Sequence, residues 1–270
     1  MFCIILFEKR PKFKKFQQVQ KLIYIKVRKS SSKISKLSEL TKLIEEKPVI
    51  SVVIPAFKEG KTIRNVIKDL KNSSSYNTEI IVVDGHSNDG TKEIVKEENA
   101  EFVAEPRVGY GRAIKTGIDH AKGNIVVIID ADDTYEAVAI DKLIQPLLKE
   151  EADVCLASRL GGTLLPGSMP RMNLFGNRLF TSMYNTIYGQ NVSDTQTGFR
   201  ALTKNAIRRL DLYSDGMGLA TVFLTEAAKS GLKITEIPTV YRPRNGHSKS
   251  KLNRFKAGWE IFRILLLGQA

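Results

Sequence analysis

Cysteine is nearly absent from this chain: Cys3 and Cys155 are the only two in 270 residues, far apart and in apolar surroundings. Neither a disulfide framework nor a zinc site follows from them, and a reducing compartment is the default. No apolar run reaches the roughly 20 residues needed to cross a bilayer. Met1 to Phe7 is apolar but short, and its basic residues follow rather than precede it, which makes a poor signal peptide. The chain is therefore expected to stay in the cytoplasm. Histidine is scarce too, and His86, His120 and His247 form no metal set; they read as structural or solvated. No internal repeat is visible. After the first strand, Pro55-Ala56-Phe57-Lys58-Glu59-Gly60 is not the Gly-rich phosphate loop that a sugar nucleotidyltransferase needs, which excludes that activity.

What is present is a 42% apolar share, enough for a full core and too much for global disorder. The net charge of +13 and pI near 9.6 call for an anionic partner: nucleic acid, a membrane surface or a phosphorylated substrate. Residues 1–47 differ from the rest. Phe13, Phe16, Val19, Leu22, Ile23 and Ile25 alternate with many lysines and arginines, a pattern that suits a basic amphipathic extension able to lie on an anionic membrane, or a solvated one.

From Val49 the pattern becomes regular. Val49–Ile54 reads as a strand stopped by Pro55, Thr62–Lys71 as a helix and Glu79–Asp84 as a second buried strand. A helix from Thr91, a short strand at Phe102-Val103 and a helix over Gly109–Ala121 follow. Ile125-Val-Val-Ile-Ile-Asp-Ala-Asp132 is a strand buried on both faces, ending in two carboxylates. A helix over Ala137–Glu150 and a strand over Asp153–Ala157 continue the alternation, which specifies an α/β fold with a mostly parallel sheet. Beyond Arg159 helices are predicted over Met172–Tyr188, Thr203–Leu210, Leu219–Lys229 and Phe255–Leu267, with a strand over Lys233–Val240.

In such a sheet ligands bind at the carboxyl ends of the strands. Three strand ends should converge there: Pro55 to Glu59, Asp84 to Gly90, and Asp130-Ala131-Asp132. Asp130 and Asp132 repel each other, so a hard divalent cation carrying phosphates is the natural neutraliser. A turn with an aromatic and a carboxylate, Phe57 and Glu59, can hold a base, and Asp84 can accept from a base or ribose hydroxyl.

Val53-Ile-Pro-Ala-Phe-Lys-Glu59, Val83-Asp-Gly-His-Ser-Asn-Asp-Gly-Thr91 and Asp130-Ala-Asp132 resemble the family 2 glycosyltransferases, which have the GT-A fold. Ala157-Ser-Arg159, Asp194-Thr-Gln-Thr-Gly-Phe-Arg200 and Ser250-Lys251-Leu252 are similar to the dolichyl-phosphate and polyprenyl-phosphate sugar synthases within that family. The resemblance covers Val49 to Leu252. It implies a GT-A domain over 48–252, followed by an amphipathic C-terminal helix over 253–270. It implies that Pro55, Ala56, Phe57, Glu59 and Asp84 bind the nucleoside. Ala131, Asp130 and Asp132 would hold ribose, diphosphate and Mg²⁺ or Mn²⁺. Arg159, with Arg244 and Lys251 from a late basic loop, would lie near the phosphates. The chain departs from the family at Lys58, where Asn is common, and at Thr134, where some synthases place a metal-ligating Gln. Lys249 competes with Lys251 for the phosphate role.

The reaction so implied moves a hexose or N-acetylhexosamine from a GDP- or UDP-sugar to dolichyl or polyprenyl phosphate, with inversion at the anomeric carbon. The acceptor phosphate is already ionised, so no strong base is required, and charge building on the leaving diphosphate is the main catalytic demand. Asp132, Asp194 and Arg200 are the candidate catalytic residues, and Arg171 and Arg178 the candidates for the acceptor phosphate. A polyprenyl acceptor places the enzyme peripherally on the cytoplasmic face of a membrane, with Met172–Tyr188 and Ile261–Leu267 toward lipid. Many relatives continue into transmembrane helices, and this chain stops before one forms. The competing readings are a family 2 enzyme acting on a soluble or cell-surface glycan, and a non-enzymatic basic membrane module. The latter explains the charge and leaves the strand-end carboxylates unexplained. No nucleic-acid partner is expected.

Overall fold

The computed structural model describes residues 50–244 and 254–268. The chain divides into two units, Met1–Lys47 and Pro48–Ala270. The first, with the expected amphipathic extension, lies outside the described residues.

The second unit alternates as its apolar runs require. β1 (Ile50–Ala56), α1 (Ile63–Ser73), β2 (Thr78–Asp84), α2 (Thr91–Glu97), β3 (Glu101–Ala104), α3 (Tyr110–His120) and β4 (Ile125–Ile128) come first. A 3₁₀ turn at Ala137–Ala139 leads into α4 (Ile140–Leu148), β5 (Val154–Leu164) and α5 (Arg171–Tyr188). Then come β6 (Arg200–Thr203), α6 (Lys204–Ile207), α7 (Leu219–Lys229), β7 (Ile234–Tyr241) and α8 (Arg254–Leu267). The seven strands form one sheet in the order β3-β2-β1-β4-β6-β5-β7. β3, β2, β1 and β4 pair in parallel, as do β5 and β7, while β6 runs antiparallel between β4 and β5.

Alternate residues of β1 serve two cores. Ile50, Val52 and Ile54 pack on the side of α1 and α4, with Ile67, Leu70, Leu143 and Ile144. Val53 packs on the other side, among residues of α3, α7 and α8 such as Ile114, Phe223 and Ile264. Each fully buried Ile, Leu or Phe contributes about 1.5–3 kcal/mol, which is why the β-branched runs dictate the central strands.

Four expectations are corrected. β1 does not stop at Pro55. The Val53 carbonyl accepts from Ile129 N–H, so Pro55, two residues on, faces the side where β4 has already ended, and its missing N–H costs no ladder bond. β4 ends at Ile128, which leaves Asp130 and Asp132 in the loop beyond it. β5 runs past Ala157 to Leu164, with a register shift between Ser158 and Thr163. The helix expected over Thr203–Leu210 is a four-residue turn of helix preceded by β6, whose Thr203 hydroxyl accepts from Ala206 N–H as the cap.

Candidate active site

The strand ends meet at one rim. Ala56 pairs with Asp84 across β1 and β2, and β4 lies on the other flank of β1, so Asp84 and the Asp130–Asp132 loop share the carboxyl edge of the sheet. Hydrogen bonds tie the three loops together. Ser87 donates from N–H and Oγ to the Asp84 carboxylate at 2.8 and 2.5 Å, and its Oγ accepts from Lys58 N–H at 2.6 Å. Gly60 N–H donates to Asp89 at 2.8 Å, and a Cβ at Gly60 would strike the Asp89 carbonyl. Thr62 Oγ1 is within 2.7 Å of the Ala131 carbonyl and 3.2 Å of Glu59 Oε2. Phe57 stands exposed at the rim, with the Lys58 ammonium 5.3 Å from its ring centre.

Pro55, Ala56 and Ala131 are placed differently from the expectation. All three side chains are buried, Pro55 and Ala56 within β1, and the Ala131 carbonyl accepts from Thr62. Burial of these side chains leaves their backbone, and the loops they anchor, as what they present at the rim. Glu59 and Asp84 are also buried. Asp84 spends both carboxylate oxygens on Ser87, each keeping a second lone pair.

The acidic pair has two different environments. Asp130 Oδ1 accepts from the Tyr110 hydroxyl at 2.8 Å. Gly198 presses on the same carboxylate: a Cβ there would lie 2.6 Å from Asp130 Cγ and 2.9 Å from Oδ1, so a side chain at 198 would force the carboxylate to move. Burial, then the charge of Asp132, pushes the Asp130 carboxyl up to about 6. Asp132 is 3% exposed. Its Oδ1 accepts from the Thr134 hydroxyl at 2.6 Å, while its buried Oδ2 has no aligned hydrogen bond and faces Arg244 Nη2 at 2.5 Å. Arg244 is delivered by the end of β7, where Tyr241 bridges to Tyr135 and Arg242 N–H donates to the Thr134 carbonyl.

A buried carboxylate oxygen without a hydrogen bond, beside a second carboxylate, fits a hard oxygen-preferring cation. Among the described residues no three His, Cys, Asp or Glu side chains gather around one point. The protein thus offers an incomplete oxygen set, and a ligand and water would supply the rest.

β6 brings the next group to the rim. Because it runs antiparallel, its first residue, Arg200, lies opposite Ile128 and Leu156, and the preceding Asp194–Phe199 segment passes over the carboxyl ends of β4 and β5. Arg159 and Asp194 form a closed pair there: Nε to Oδ2 at 2.7 Å and Nη2 to Oδ1 at 2.9 Å, with Arg159 N–H also on Oδ2. The Tyr241 ring lies 5.3 Å from the guanidinium. The candidate catalytic Asp194 lies inside this pair: it is 0% exposed and both its oxygens are taken by Arg159. The candidate catalytic Arg200 is enclosed as well. It is 2% exposed, donates to the Ala220 and Thr197 carbonyls, and lies over Phe223.

Arg171 and Arg178 are exposed on one side of α5, seven positions apart. α5 reaches the rim through Thr181, whose hydroxyl meets that of Thr195 at 3.0 Å and accepts from Thr195 N–H. Lys251 and Lys249 lie outside the described residues. Sequence reasoning missed Tyr110, Gly198 and the loop-tying hydroxyls of Thr62, Ser87 and Thr134. Tyr110 opens α3, where helical periodicity gives no sign of its hydroxyl's partner, and Gly198 sat inside a motif already singled out.

The profile of Glycosyl transferase family 2 matches residues 51–211. The chain is 35% identical over 214 residues to glycosyltransferase AglJ of Haloferax volcanii, covering 79% of this chain and 69% of AglJ. It is 31% identical over 217 residues to a dolichyl-phosphate hexose transferase of the same organism, covering 80% of this chain and 92% of the relative. A UDP-N-acetylglucosamine–dolichyl-phosphate N-acetylglucosaminyltransferase of Methanococcus voltae is 30% identical over 244 residues, covering 81% and 95%. Glucosyl-3-phosphoglycerate synthase of Mycobacterium tuberculosis, solved with Mn²⁺, UDP and its product, shares the fold at a TM-score of 0.67 and 22% identity, covering 83% of this chain and 81% of that one. The same enzyme has been solved with Mg²⁺ and UDP. The mostly parallel sheet with its antiparallel β6 is GT-A-like, and the chain belongs to glycosyl transferase family 2.

Proposed function

We propose that this glycosyltransferase moves a sugar from a nucleoside diphosphate donor to dolichyl or polyprenyl phosphate at a membrane surface, with Mg²⁺ or Mn²⁺ on Asp130 and Asp132. The observation that carries the lipid acceptor is an apolar surface shared by α8 and by α5, the helix that reaches the rim at Thr181. On α5, Met172, Phe175 and Leu179 are exposed. On α8, Phe255 is 93% and Trp259 63% exposed, with Phe262, Leu266 and Leu267 alongside. Phe180, Phe255, Gly258, Trp259 and Phe262 line a groove of about 400 Å³ between the two helices. Arg171, Arg178, Lys256 and Arg263 are exposed on the same helices. An apolar face of this extent rimmed by cations suits an anionic bilayer better than water. Among the described residues no helix is long and apolar enough to cross a membrane, so this contact would be peripheral. The names of the Haloferax and Methanococcus relatives point to the same acceptor class.

In this reading the Phe57 ring stacks on the base and the Asp84 loop takes the ribose side. The cation, once bound, would stabilise the charge that develops on the leaving diphosphate. Arg244 adds a second positive charge beside the diphosphate. Arg159, locked by Asp194, holds a fixed cation behind it. Arg171 and Arg178 receive the acceptor phosphate from the lipid side. One displacement on the face opposite the leaving group inverts the anomeric centre. The cytoplasmic face of the membrane is where a soluble nucleotide sugar and a bilayer acceptor meet.

The test supplies radiolabelled GDP-mannose, UDP-glucose and UDP-N-acetylglucosamine in turn with a polyprenyl phosphate in vesicles. Label in organic-extractable lipid phosphate, abolished by Asp132→Ala, is the expected result. Label only in water-soluble glycan would overturn the lipid acceptor.

A further inference from the structure

We infer that Arg244 is an internal counter-ion of Asp132, occupying the place of the divalent cation and exchanging with it when the donor binds. The inference rests on the reading of Asp132 as a cation ligand.

Asp132 is enclosed, and an ionised carboxylate so enclosed needs a compensating charge. Thr134 satisfies one oxygen, and Arg244 faces the other at 2.5 Å. The arginine is put there by construction. Its upstream neighbours are fastened by their backbone to the loop that carries Asp132: Tyr241 bridges Tyr135, and Arg242 N–H donates to the Thr134 carbonyl at 2.8 Å. β7 and the acidic loop are therefore tied together, which places Arg244 against Asp132 Oδ2.

A guanidinium and a divalent cation cannot share Oδ2. They repel, and the oxygen has no room for both at contact distance. A bare cation must break the Asp132–Arg244 pair without bringing an anion in exchange, so it binds weakly. A cation arriving with a nucleoside diphosphate brings that anion, and Arg244 transfers from Asp132 to the phosphates. Cation and donor then bind together, and the empty enzyme does not fill with metal alone.

The experiment is a Mn²⁺ titration followed by electron paramagnetic resonance of the free ion, with and without UDP or GDP. Wild type is compared with Arg244→Gln, Arg244→Lys and the neighbouring charge control Arg242→Gln. Arg244→Gln should tighten Mn²⁺ alone by at least about tenfold, the effect of removing one unit charge from a partly buried site. Arg244→Lys should restore weak binding, which separates exchange from misfolding. Arg242→Gln should change affinity by less than about twofold, because Glu136 holds that charge. With nucleoside diphosphate present, the gain of Arg244→Gln should vanish or reverse. Unchanged or weaker Mn²⁺ binding in Arg244→Gln overturns the exchange, as does equal tightening in Arg242→Gln. If neither wild type nor Arg244→Gln binds Mn²⁺ even with nucleotide, the cation reading of the acidic pair fails, and the exchange with it.

Discussion

Replacing Asp194 by alanine strands the Arg159 guanidinium, which is 8% exposed, without its carboxylate. Breaking a buried ion pair by removing one partner costs about 3–5 kcal/mol, because the remaining charge stays desolvated. For a unit of this size, Pro48–Ala270, each kcal/mol lowers Tm by about 2–4 °C. Asp194→Ala should therefore melt about 6–20 °C below wild type. The double variant Arg159→Met with Asp194→Leu, which removes both charges at similar volume, should recover most of that loss. Scanning calorimetry of the three proteins reads the stability, and kcat and KM with a nucleotide sugar read the function. A positioning residue loses both together and regains only stability in the double variant. If Asp194→Ala melts within about 2 °C of wild type, below the loss expected for a broken buried pair, while kcat collapses at unchanged KM, then Asp194 acts on the reacting atoms and the reasoning is wrong.

Gly198→Ala puts a methyl group against the Asp130 carboxylate, which must turn away from Tyr110. Cation affinity should fall at least about tenfold with a Tm loss of about 1–3 kcal/mol equivalent, measured by Mn²⁺ titration and thermal melting. The pH dependence of cation binding has a definite sign. The Asp130 carboxyl is raised to about 6, so in the metal-free site it takes up a proton as pH falls through that value, and the proton competes with the cation. Apparent Mn²⁺ affinity should be flat above that pH and fall by about tenfold per unit below it, and Asp130→Asn should bind weakly with no such slope. Phe255→Ser with Trp259→Ser removes two exposed rings, and sedimentation with anionic vesicles should show binding reduced by more than about tenfold, given roughly 1.5 kcal/mol or more per buried aromatic side chain. Turnover of a short-chain water-soluble acceptor should hold.

The parts of the fold that could be read directly are those where burial is one-dimensional. Ile50–Ile54, Ile80–Val83 and Ile125–Ile128 are β-branched runs buried on both faces, and no other local structure accounts for them. β6 was invisible because Arg200-Ala-Leu-Thr203 is too short for any period to show, and it begins with a charge that tertiary contacts bury. The extension of β5 was hidden by Gly161 and Gly162, which interrupt the apolar pattern; a Cβ on Gly162 would collide with the Thr239 backbone of β7. The acidic residues of the rim were legible from their place after strands. Their partners were not. Asp194 reaches Arg159 across 35 positions, and Gly198 meets Asp130, because the antiparallel strand folds that segment back over the rim, while Tyr110 comes to Asp130 from α3. Motif spacing does not show where a side chain is spent on a neighbour, as at Asp194 and Arg200.

The most direct measurement is an anomalous difference map from crystals grown with Mn²⁺ and a nucleoside diphosphate. We expect one strong manganese peak in contact with the Asp132 carboxylate, bridged to both phosphates, with the base against Phe57. Manganese and nucleotide bound away from the Asp130–Asp132 loop would contradict the account.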